Sequence, residues 1–486
     1  MEIKLSYKLV VFLQRILIFL ALLCLPSYSQ ADRSGKEVYD QLCAACHGVN
    51  MEGGQAGSFI DGVWNYGSGP SYHRRNIAFG IVGTPMVPWS TVLTDPEIVA
   101  VVEYILAVEA ELKIEPPPPP DRFDTEHYRL KIDVLAEGLN QPWGIAFLDE
   151  RTAVFTEHQG NLRLLVDQQV VDQPIANTPQ AMIQPNGDRK GYLDIAADPN
   201  YAENGWIYLV YAHEAENLVE NEEIKRSMVR VVRGRIKDME WLDEEIIYSA
   251  PENSYTPVRD HYGSRLVFDR EGYLYFSVGD RHLMIQAQNL GRPEGKFHRI
   301  HPDGRIADSN PFSAMLLTGA LPTIFAYGSR NAQGLAMHPV TGEIWSSEHG
   351  PMGGDELNKV VKGINMGWPV ITMGLHSDNT LLTPYKEREG MAQPMKYWIP
   401  SPALSAIEFS TSPLFPKWQN NLLLASLKHK NIRRLIINGD QVTEAEFVLK
   451  GCGRIRDITT GPDGALYVLV DRRGFILRLT PEGVLD

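Results

Sequence analysis

The chain has 486 residues, of which 44% are hydrophobic and 22% charged, the balance of a folded globular protein rather than a disordered one. Its length is enough for about two or three domains. The formal net charge of −14 argues against a nucleic-acid partner, although a local pocket can still be positive.

The N-terminus has the pattern of a secretory signal peptide. Three basic residues precede the apolar run ILIFLALLCL at residues 16–25, and small residues favour cleavage after Ala31. The run is short for a membrane-spanning helix, and an uncleaved N-terminal anchor is the alternative. We therefore expect residues 1–31 to be removed on export to the periplasm, after which the protein needs no membrane contact.

The next motif, CAACHG, predicts a covalently bound haem. In Cys-x-x-Cys-His, two thiols bond to the haem and the adjacent imidazole binds the iron. Cys43 and Cys46 are thus the predicted attachment points and His47 the axial ligand, giving haem c. A thioredoxin-like pair is disfavoured because no βαβ pattern surrounds the motif, and a chance match is the remaining alternative.

A second axial ligand is offered by Met86 in GTPMVPW. A thioether ligand raises the redox potential and suits electron transfer; the alternative is that Met86 only fills the core. Apolar spacing predicts a helix over Asp95–Leu112. These pieces resemble a class I cytochrome c domain, which implies a small all-α domain over residues 32–112. Cys452 is then left without a partner, so we expect no structural disulfide.

A proline-rich segment separates two folded parts. Five consecutive prolines in EPPPPPD cannot join a helix or an inner strand, and they favour a stiff extended chain. We predict a semi-rigid linker over residues 113–124 and a second domain over 125–486.

Beyond the linker, a strand, a turn and a second strand recur six times. The copies start at Gly144, Asp194, Arg265, Gly334, Ala406 and Asp457, so successive starts are 50, 71, 69, 72 and 51 residues apart. One hairpin fits any β protein, but six in series at this spacing indicate radial repetition. We predict an all-β six-bladed β-propeller with a ligand at one mouth of its central channel.

Loops between the repeats carry polar residues that a plain scaffold does not need. Taken singly, each arginine would be a surface charge and His261 a structural histidine. Gathered at one mouth, three arginines and a lysine would make a cationic pocket for a ligand with several carboxylates or phosphates. The candidates are Arg330, Lys428, Arg454 and Arg456, of which the last two share one face of a strand.

Six loop sequences make this pattern specific. HYGSRLVFD, SRNAQGLAMHP, EHGPMGGDELN, GINMGWP, SLKHK and RIRD resemble the soluble glucose/sorbosone (aldose sugar) dehydrogenases that depend on pyrroloquinoline quinone (PQQ). The resemblance covers the whole propeller. With the N-terminal cytochrome, it implies a quinohaemoprotein sugar dehydrogenase that uses PQQ, Ca²⁺ and haem c.

The resemblance implies a role for each matching residue. His261 would be the general base, and Asp280 would orient it. The backbone carbonyls of Gly350 and Pro351 would bind the active-site calcium, a hard cation that prefers oxygen ligands. The remaining implied roles are quinone binding by Arg330, Asn331, Lys428, Arg454 and Arg456, a second calcium at Glu356, and a position near the sugar for Asp355.

Three departures from the family pattern concern the substrate. Arg189 stands where sugar-oxidising relatives commonly carry a glutamine that contacts the sugar, Ser329 replaces a usual histidine, and Leu404 replaces a usual proline. An arginine near the sugar would favour an acidic or phosphorylated substrate. The alternative is that Arg189 points to the surface.

The leading hypothesis is an enzyme that oxidises an aldose to its lactone. Hydride passes to PQQ, and electrons pass to the haem and then to an external acceptor, such as another cytochrome or a respiratory-chain component. One alternative is a non-redox carbohydrate-binding propeller with an electron-transfer or sensory haem, which the intact basic set and His261 oppose. A propeller lactonase, the other alternative, gives the basic cluster and the haem no role.

Overall fold

The computed structural model describes residues 32–485 except 65, 68, 114–116, 183–190, 216–224, 259 and 377, and only the backbone of 316–318. The predicted signal peptide and Arg189 lie outside the described residues. Within these ranges, no helix is both long and apolar enough to cross a lipid bilayer.

The N-terminal part is a small helical domain. Helix α1 (Gly35–Val38) continues through a π-helical turn (Tyr39–Cys43) into α2 (Ala44–His47), and α3 (Pro70–Phe79) and α4 (Asp95–Glu111) follow. The closing helix therefore ends one residue before the predicted end. These helices enclose an apolar core that places the haem motif at the end of α2.

Helix α4 begins where the sequence supplies a capping box. The Thr94 side chain accepts the N–H of Glu97, and the Glu97 carboxylate accepts the N–H of Thr94, so two otherwise unpaired backbone donors are satisfied. Glu97 also pairs with Arg33 at 2.6 Å. Buried Ile98, Val101 and other apolar residues on one face of α4 then pack against the first helices.

The rest of the described chain forms six antiparallel sheets, which confirms the predicted six-bladed β-propeller. The chain enters it through β1 (Arg122–Asp124) and β2 (Tyr128–Ala136). The first three blades are β3–β6 (Pro142–Phe147, Thr152–Glu157, Asn161–Val166, Gln169–Val170), β7–β10 (Tyr192–Ala197, Ile207–Glu214, Ser227–Lys237, Glu240–Ser249) and β11–β14 (Gly263–Phe268, Leu274–Val278, Lys296–Ile300, Ile324–Tyr327).

The remaining blades are β15–β18 (Ala332–Met337, Ile344–Glu348, Asp355–Val360, Lys396–Trp398), β19–β22 (Leu404–Phe409, Leu422–Ser426, Asn431–Asn438, Gln441–Lys450) and β23–β25 (Arg454–Thr460, Leu466–Asp471, Phe475–Val484). The short helix α5 (Tyr201–Asn204) lies between β7 and β8, and single 3₁₀ turns occur at Glu252–Ser254, Met284–Gln288, Ser313–Thr318 and Pro416–Trp418. Each predicted repeat starts in the first strand of one blade, and these first strands contact one another around the channel.

The ring is closed by pairing the two ends of the propeller. Strand β2 pairs with β25, with Ile132 opposite Leu479, so the last blade has five strands in the order β1-β2-β25-β24-β23. Strand β1 lies in the last residues of the segment predicted as linker. It is a strand because it pairs with β2, where Arg122 lies opposite Lys131.

A buried arginine joins blades across the central channel. Arg265 on β11 lies 3.0 Å from the carboxylates of Asp194 on β7 and Asp457 on β23. It also donates hydrogen bonds to the backbone carbonyls of Gln333 and Arg456. One side chain thus connects four blades, and the channel below the mouth is a packed polar core.

Candidate active site

His261 and Asp280 form a buried dyad at the channel mouth. His261 precedes β11 and Asp280 follows β12. Nδ1 of His261 lies 2.7 Å from Oδ1 of Asp280. The other Asp280 oxygen accepts a hydrogen bond from the Trp368 indole at 2.8 Å. Both carboxylate oxygens are therefore fixed, and with Nδ1 as the donor the imidazole keeps a lone pair on Nε2.

The surroundings of His261 keep its ring neutral. Burial lowers the pKa of His261, the hydrogen bond that its Nδ1 donates to Asp280 raises it, and the nearby charge of Arg330 lowers it. The Nη2 atom of Arg330 lies 3.4 Å from Nε2 of His261. The ring also stacks on His282, with centroids 3.8 Å apart. A neutral imidazole whose Nε2 accepts only this long contact from Arg330 is suited to take up a proton.

The dyad borders a cavity of about 190 Å³. His261, Arg330, Gly350, Pro351 and Lys428, five of the residues predicted for the site, line it together. Propeller residues also lining the cavity are His349, Met352, Gly353, Pro400, Ser401 and Ala403. The N-terminal helical domain, called the haem domain below after its predicted haem motif, contributes Tyr72, Arg75, Asn76, Ile81 and Val82. The structure thus brings one wall of the cavity from each domain.

Arg330 is anchored by hydrogen bonds that involve the backbone. Its guanidinium donates to the carbonyls of His349 and Gly350, both at 2.9 Å. Its backbone N–H donates to the Glu348 carboxylate, which also accepts the hydroxyl of Ser329 at 2.6 Å. Ser329, one of the departures from the family pattern, therefore helps to fix the Arg330 loop.

Asn331, Arg454 and Arg456 are not among the residues that line the cavity, and Asn331 and Arg456 are linked through one glutamine. Oδ1 of Asn331 accepts the N–H of Gly263 at 3.1 Å and the amide of Gln333 at 3.3 Å. The Gln333 oxygen accepts a hydrogen bond from Arg456 at 3.0 Å. Arg456 also stacks over Trp143, 3.6 Å from its ring centre.

The cations are incompletely balanced by the protein. Burial lowers the pKa of Lys428 to about 8 and that of Arg456 to about 10. Arg454 and Arg456 share one carboxylate, Asp471, at 3.4 and 3.0 Å. In the described part of the chain, Lys428 has no carboxylate within 4 Å. Buried cations short of counter-charge fit a polyanionic cofactor such as PQQ.

The predicted calcium ligands Gly350, Pro351 and Glu356 all offer oxygen atoms to a cation. Gly350 and Pro351 line the cavity beside Arg330. Glu348 is buried and Glu356 is half-buried, and both accept hydrogen bonds from the Asn358 amide, Glu356 at 3.1 Å and Glu348 at 2.9 Å. Burial raises the pKa of each of these carboxyls, and their mutual repulsion raises that of Glu356 further. A divalent cation would relieve that repulsion.

The predicted calcium ligands include too few acidic side chains to form a metal site from side chains alone. Among the described residues, no group of three or more His, Cys, Asp or Glu side chains is arranged to hold a metal ion. A Ca²⁺ here would therefore depend on backbone carbonyls and water, which Ca²⁺ accepts readily as ligands.

Asp355 is fully buried and does not line the cavity. Its carboxylate accepts the backbone N–H groups of Gly350 at 3.0 Å and Leu404 at 2.9 Å. Leu404 is another of the three departures from the family pattern, and a proline there could not donate this bond. Asp355 thus supports the cavity wall through Gly350 and lies behind the surface that a sugar would touch.

One hydrogen bond in the predicted haem motif orients its histidine. Nδ1 of His47 lies 2.9 Å from the Gly57 carbonyl, which leaves Nε2 for the iron. Burial lowers the pKa of His47, so its ring is neutral near pH 7. Cys43 and Cys46 are free thiols, and Met86 packs against the same apolar core as Cys43. The residues present fit a covalent haem with Met86 as the second ligand.

Cys452 is also a free thiol, but a buried one. It packs in the largest propeller core cluster, and burial raises its pKa to about 12. It is therefore a structural residue with no thiolate to react.

The haem domain lies against the mouth of the propeller. The Tyr66 ring meets His429 edge-on at 5.7 Å, and the Lys428 ammonium lies 5.6 Å from the centre of the same ring. Asn379 donates a hydrogen bond to the carbonyl of Phe79. The loop before α3 therefore contacts Lys428 and His429 of the propeller, and the end of α3 contacts Asn379.

Comparison with known proteins agrees with this arrangement. Residues 139–478 match the family model described as Glucose / Sorbosone dehydrogenase. The chain belongs to the glucose/sorbosone dehydrogenase family. Residues 30–105 match the model of the cytochrome c oxidase, cbb3-type, subunit III. The protein is thus a dehydrogenase-family propeller with a cytochrome c domain.

Individual relatives cover the propeller. Aldose sugar dehydrogenase YliI of Escherichia coli is 36% identical over 360 residues, 73% of this chain and 93% of the relative. Quinoprotein glucose dehydrogenase B of Acinetobacter calcoaceticus is 24% identical over 70% of this chain and 85% of its own length. The crystal structure of the apo-form aldose sugar dehydrogenase of E. coli superposes with a TM-score of 0.67 at 35% identity, covering 73% of this chain and all of that one.

Sequence reasoning missed three contributors to the site. His349 lines the cavity in EHGPMGG, and Trp368 in GINMGWP fixes Asp280; both lie in motifs that carried the family resemblance, which was the available signal. The α3 face of the haem domain had no such signal, because domain docking leaves no periodic pattern in a sequence.

Proposed function

We propose that the protein is a periplasmic quinohaemoprotein that oxidises an aldose at C1 to its lactone. The observation that carries this proposal is the neutral His261, held by Asp280 and facing a cavity whose other lining includes Arg330 and Lys428. Membership of the glucose/sorbosone dehydrogenase family supports the reaction class, and the named relatives act on aldose sugars and glucose.

The proton of the sugar's C1 hydroxyl would go to Nε2 of His261. Asp280 holds the ring in one orientation through Nδ1 and stabilises the positive charge that the ring gains. Trp368 and the backbone of His282 hold Asp280 in turn. The base is therefore positioned before the sugar arrives, which lowers the entropy that the reaction must lose.

Five residues would hold the quinone: Arg330, Asn331, Lys428, Arg454 and Arg456. When bound, PQQ supplies the acceptor for the hydride from C1, and Ca²⁺ on the Gly350 and Pro351 carbonyls polarises that acceptor. Arg330 would contribute twice, since it borders both His261 and the Gly350 carbonyl. A second Ca²⁺ at Glu356 would stabilise the blade that carries these carbonyls.

Electrons would leave through the haem. Ile81 and Val82 line the cavity, and Met86, the proposed iron ligand, lies in the same loop. This docking supports electron transfer from a quinone in the propeller to a haem c that Cys43, Cys46 and His47 would hold. A second cytochrome or a respiratory-chain component would then accept single electrons. Covalent haem and the N-terminal signal pattern both support a periplasmic location.

Haem reduction by sugar tests the proposal directly. Protein with covalent haem is loaded with PQQ and Ca²⁺ and mixed anaerobically with each of a panel of aldoses. We expect the reduced-haem spectrum to appear with at least one sugar, and to be absent without PQQ. The His261→Ala variant should reduce its haem at least about a hundredfold more slowly. If no sugar in the panel reduces the haem of the wild-type protein, the proposed function is wrong.

A further inference from the structure

The haem domain contributes a cation to the active-site cavity. Arg75 on α3 lines the same cavity as His261 and Lys428, together with its neighbours Tyr72 and Asn76. A domain whose only task was electron transfer would need no charged side chain at this place. The part of the cavity wall that the haem domain supplies therefore bears on which molecule the cavity binds.

Arg75 is half-buried and poorly satisfied. Burial lowers the pKa of its guanidinium, and its Nε is buried without a hydrogen-bond partner. One Nη donates to the side-chain oxygen of Asn76 at 3.0 Å, and the guanidinium lies 5.2 Å from the Tyr72 ring centre. Among the residues that the structure describes, no carboxylate lies within 4 Å of it. A guanidinium offers five donors in a planar fork, and most of these remain available.

The charged side chains that line the cavity, Arg75, Arg330 and Lys428, are all cations. The charge of Arg75 is, after burial, the next cause of the lowered pKa of Lys428. Arg330, also lining the cavity, has its pKa lowered by burial. The carboxylates of Asp280, Asp355 and Glu348, which do not line the cavity, offset part of the repulsion at Arg330. An anion inside the cavity would offset more of it. A carboxylate fits the fork of Arg75 with two parallel hydrogen bonds.

We propose that Arg75 binds a carboxylate of the molecule held in the cavity, so that the haem domain completes the ligand-binding site of the propeller. This inference rests on the proposed function. The carboxylate has two possible sources, an acidic sugar such as a uronate and the quinone cofactor. The sugar is favoured because the other residues proposed to hold the quinone all belong to the propeller, and two of them, Arg330 and Lys428, line this cavity.

The Arg75→Gln variant tests this, with Arg74→Gln as its matched control. Arg74 is the preceding residue of α3 and is exposed to solvent. Both variants should keep the wild-type haem spectrum and helical circular dichroism, which shows that the domain is folded. Arg75→Lys, which keeps the charge but loses the fork, should recover part of any loss.

Two measurements separate the two sources of the carboxylate. The first is the dissociation constant of PQQ for the quinone-free protein, by fluorescence titration with saturating Ca²⁺. The second compares D-glucose with D-glucuronate, which differ only at C6, through KM or, for a sugar that is not turned over, the inhibition constant. If the sugar is the source, Arg75→Gln weakens glucuronate binding at least about tenfold and leaves glucose and PQQ within about twofold.

If the quinone is the source, Arg75→Gln weakens PQQ binding at least about tenfold while Arg74→Gln does not. Arg75→Gln without effect on either ligand, or with the same effect as Arg74→Gln, overturns the inference. Failure of the proposed function would look different, because the wild-type protein would then oxidise no sugar. The PQQ titration and calorimetric binding of glucuronate would still report on Arg75 in that case.

Discussion

The guanidinium Nη2 of Arg330 lies 3.4 Å from Nε2 of His261, on the other side of the ring from Asp280. The imidazole is thus placed between a cation and a carboxylate. Asp280 favours the protonated ring, whereas Arg330 and burial disfavour it, and the net result is a lowered pKa. The resting ring is neutral, and the charge that it gains on accepting a proton is met by Asp280.

Removal of the imidazole should abolish most of the activity. His261→Ala should lower kcat by about 10²–10⁴-fold, the usual contribution of a general base. The dissociation constant of PQQ should change by less than about threefold, because His261 is not among the cationic residues. The comparison variant is His282→Ala, which removes the exposed ring stacked on His261 and should keep most of the activity. Equal losses in both variants would contradict the base assignment.

The pH profile should report the lowered pKa of His261. Activity requires the neutral ring, so it is present above that pKa and is lost as the pH falls through it. Since the pKa lies below its usual value of about 6.5, kcat/KM for a neutral aldose should hold down to about pH 6.5 and fall only at lower pH.

Asp280→Asn provides the internal check on this profile. It removes the carboxylate that raises the pKa of His261, so the acid limb should move to lower pH while kcat falls. A purely structural role for Asp280 would lower kcat without moving the limb. An acid limb that moved to higher pH would contradict the electrostatic account.

The fold, and five of the residues that line the cavity, could be predicted from the sequence for a physical reason. Each blade is a local hairpin unit, so turns and alternation reveal Gly144 and the five later starts, and loop motifs reveal His261, Arg330 and Lys428. Contacts between distant segments leave no such mark. Trp368 reaches Asp280 across 88 positions, and Arg75 meets the cavity only because two domains dock. The burial of Asp355 likewise depends on Leu404, 49 positions away.

Quinone affinity should depend on pH through Lys428. Burial lowers the pKa of Lys428 to about 8, so its charge is present below that pH and lost above it. With Ca²⁺ saturating, PQQ should bind most tightly below about pH 8 and lose roughly tenfold in affinity as the pH rises to about 9.5. Lys428→Arg keeps its charge throughout this range and should flatten the dependence. The same slope in the variant and the wild type would exclude Lys428 as the titrating group.

The axial role of Met86 can be read from the haem spectrum. Met86→Ala should remove the thioether–iron absorption band and lower the haem midpoint potential, since thioether ligation raises it. Met51→Leu is the control, because Met51 is a buried core residue next to the motif and leucine keeps its volume. If Met86→Ala leaves band and potential unchanged, another ligand binds the iron. His73, buried with its Nε2 lacking a hydrogen bond, would be the next residue to replace.

The stability of the propeller should depend strongly on Arg265. Arg265→Met keeps much of the volume but leaves Asp194 and Asp457 as buried carboxylates without their cation. Breaking a buried pair from one side destabilises a protein by about 3–5 kcal/mol, so thermal unfolding should occur several degrees lower. Arg270→Met removes an exposed arginine that bonds only the Pro339 carbonyl among the contacts described, and should shift unfolding little. Equal shifts in the two variants would show that Arg265 does not hold the blades together.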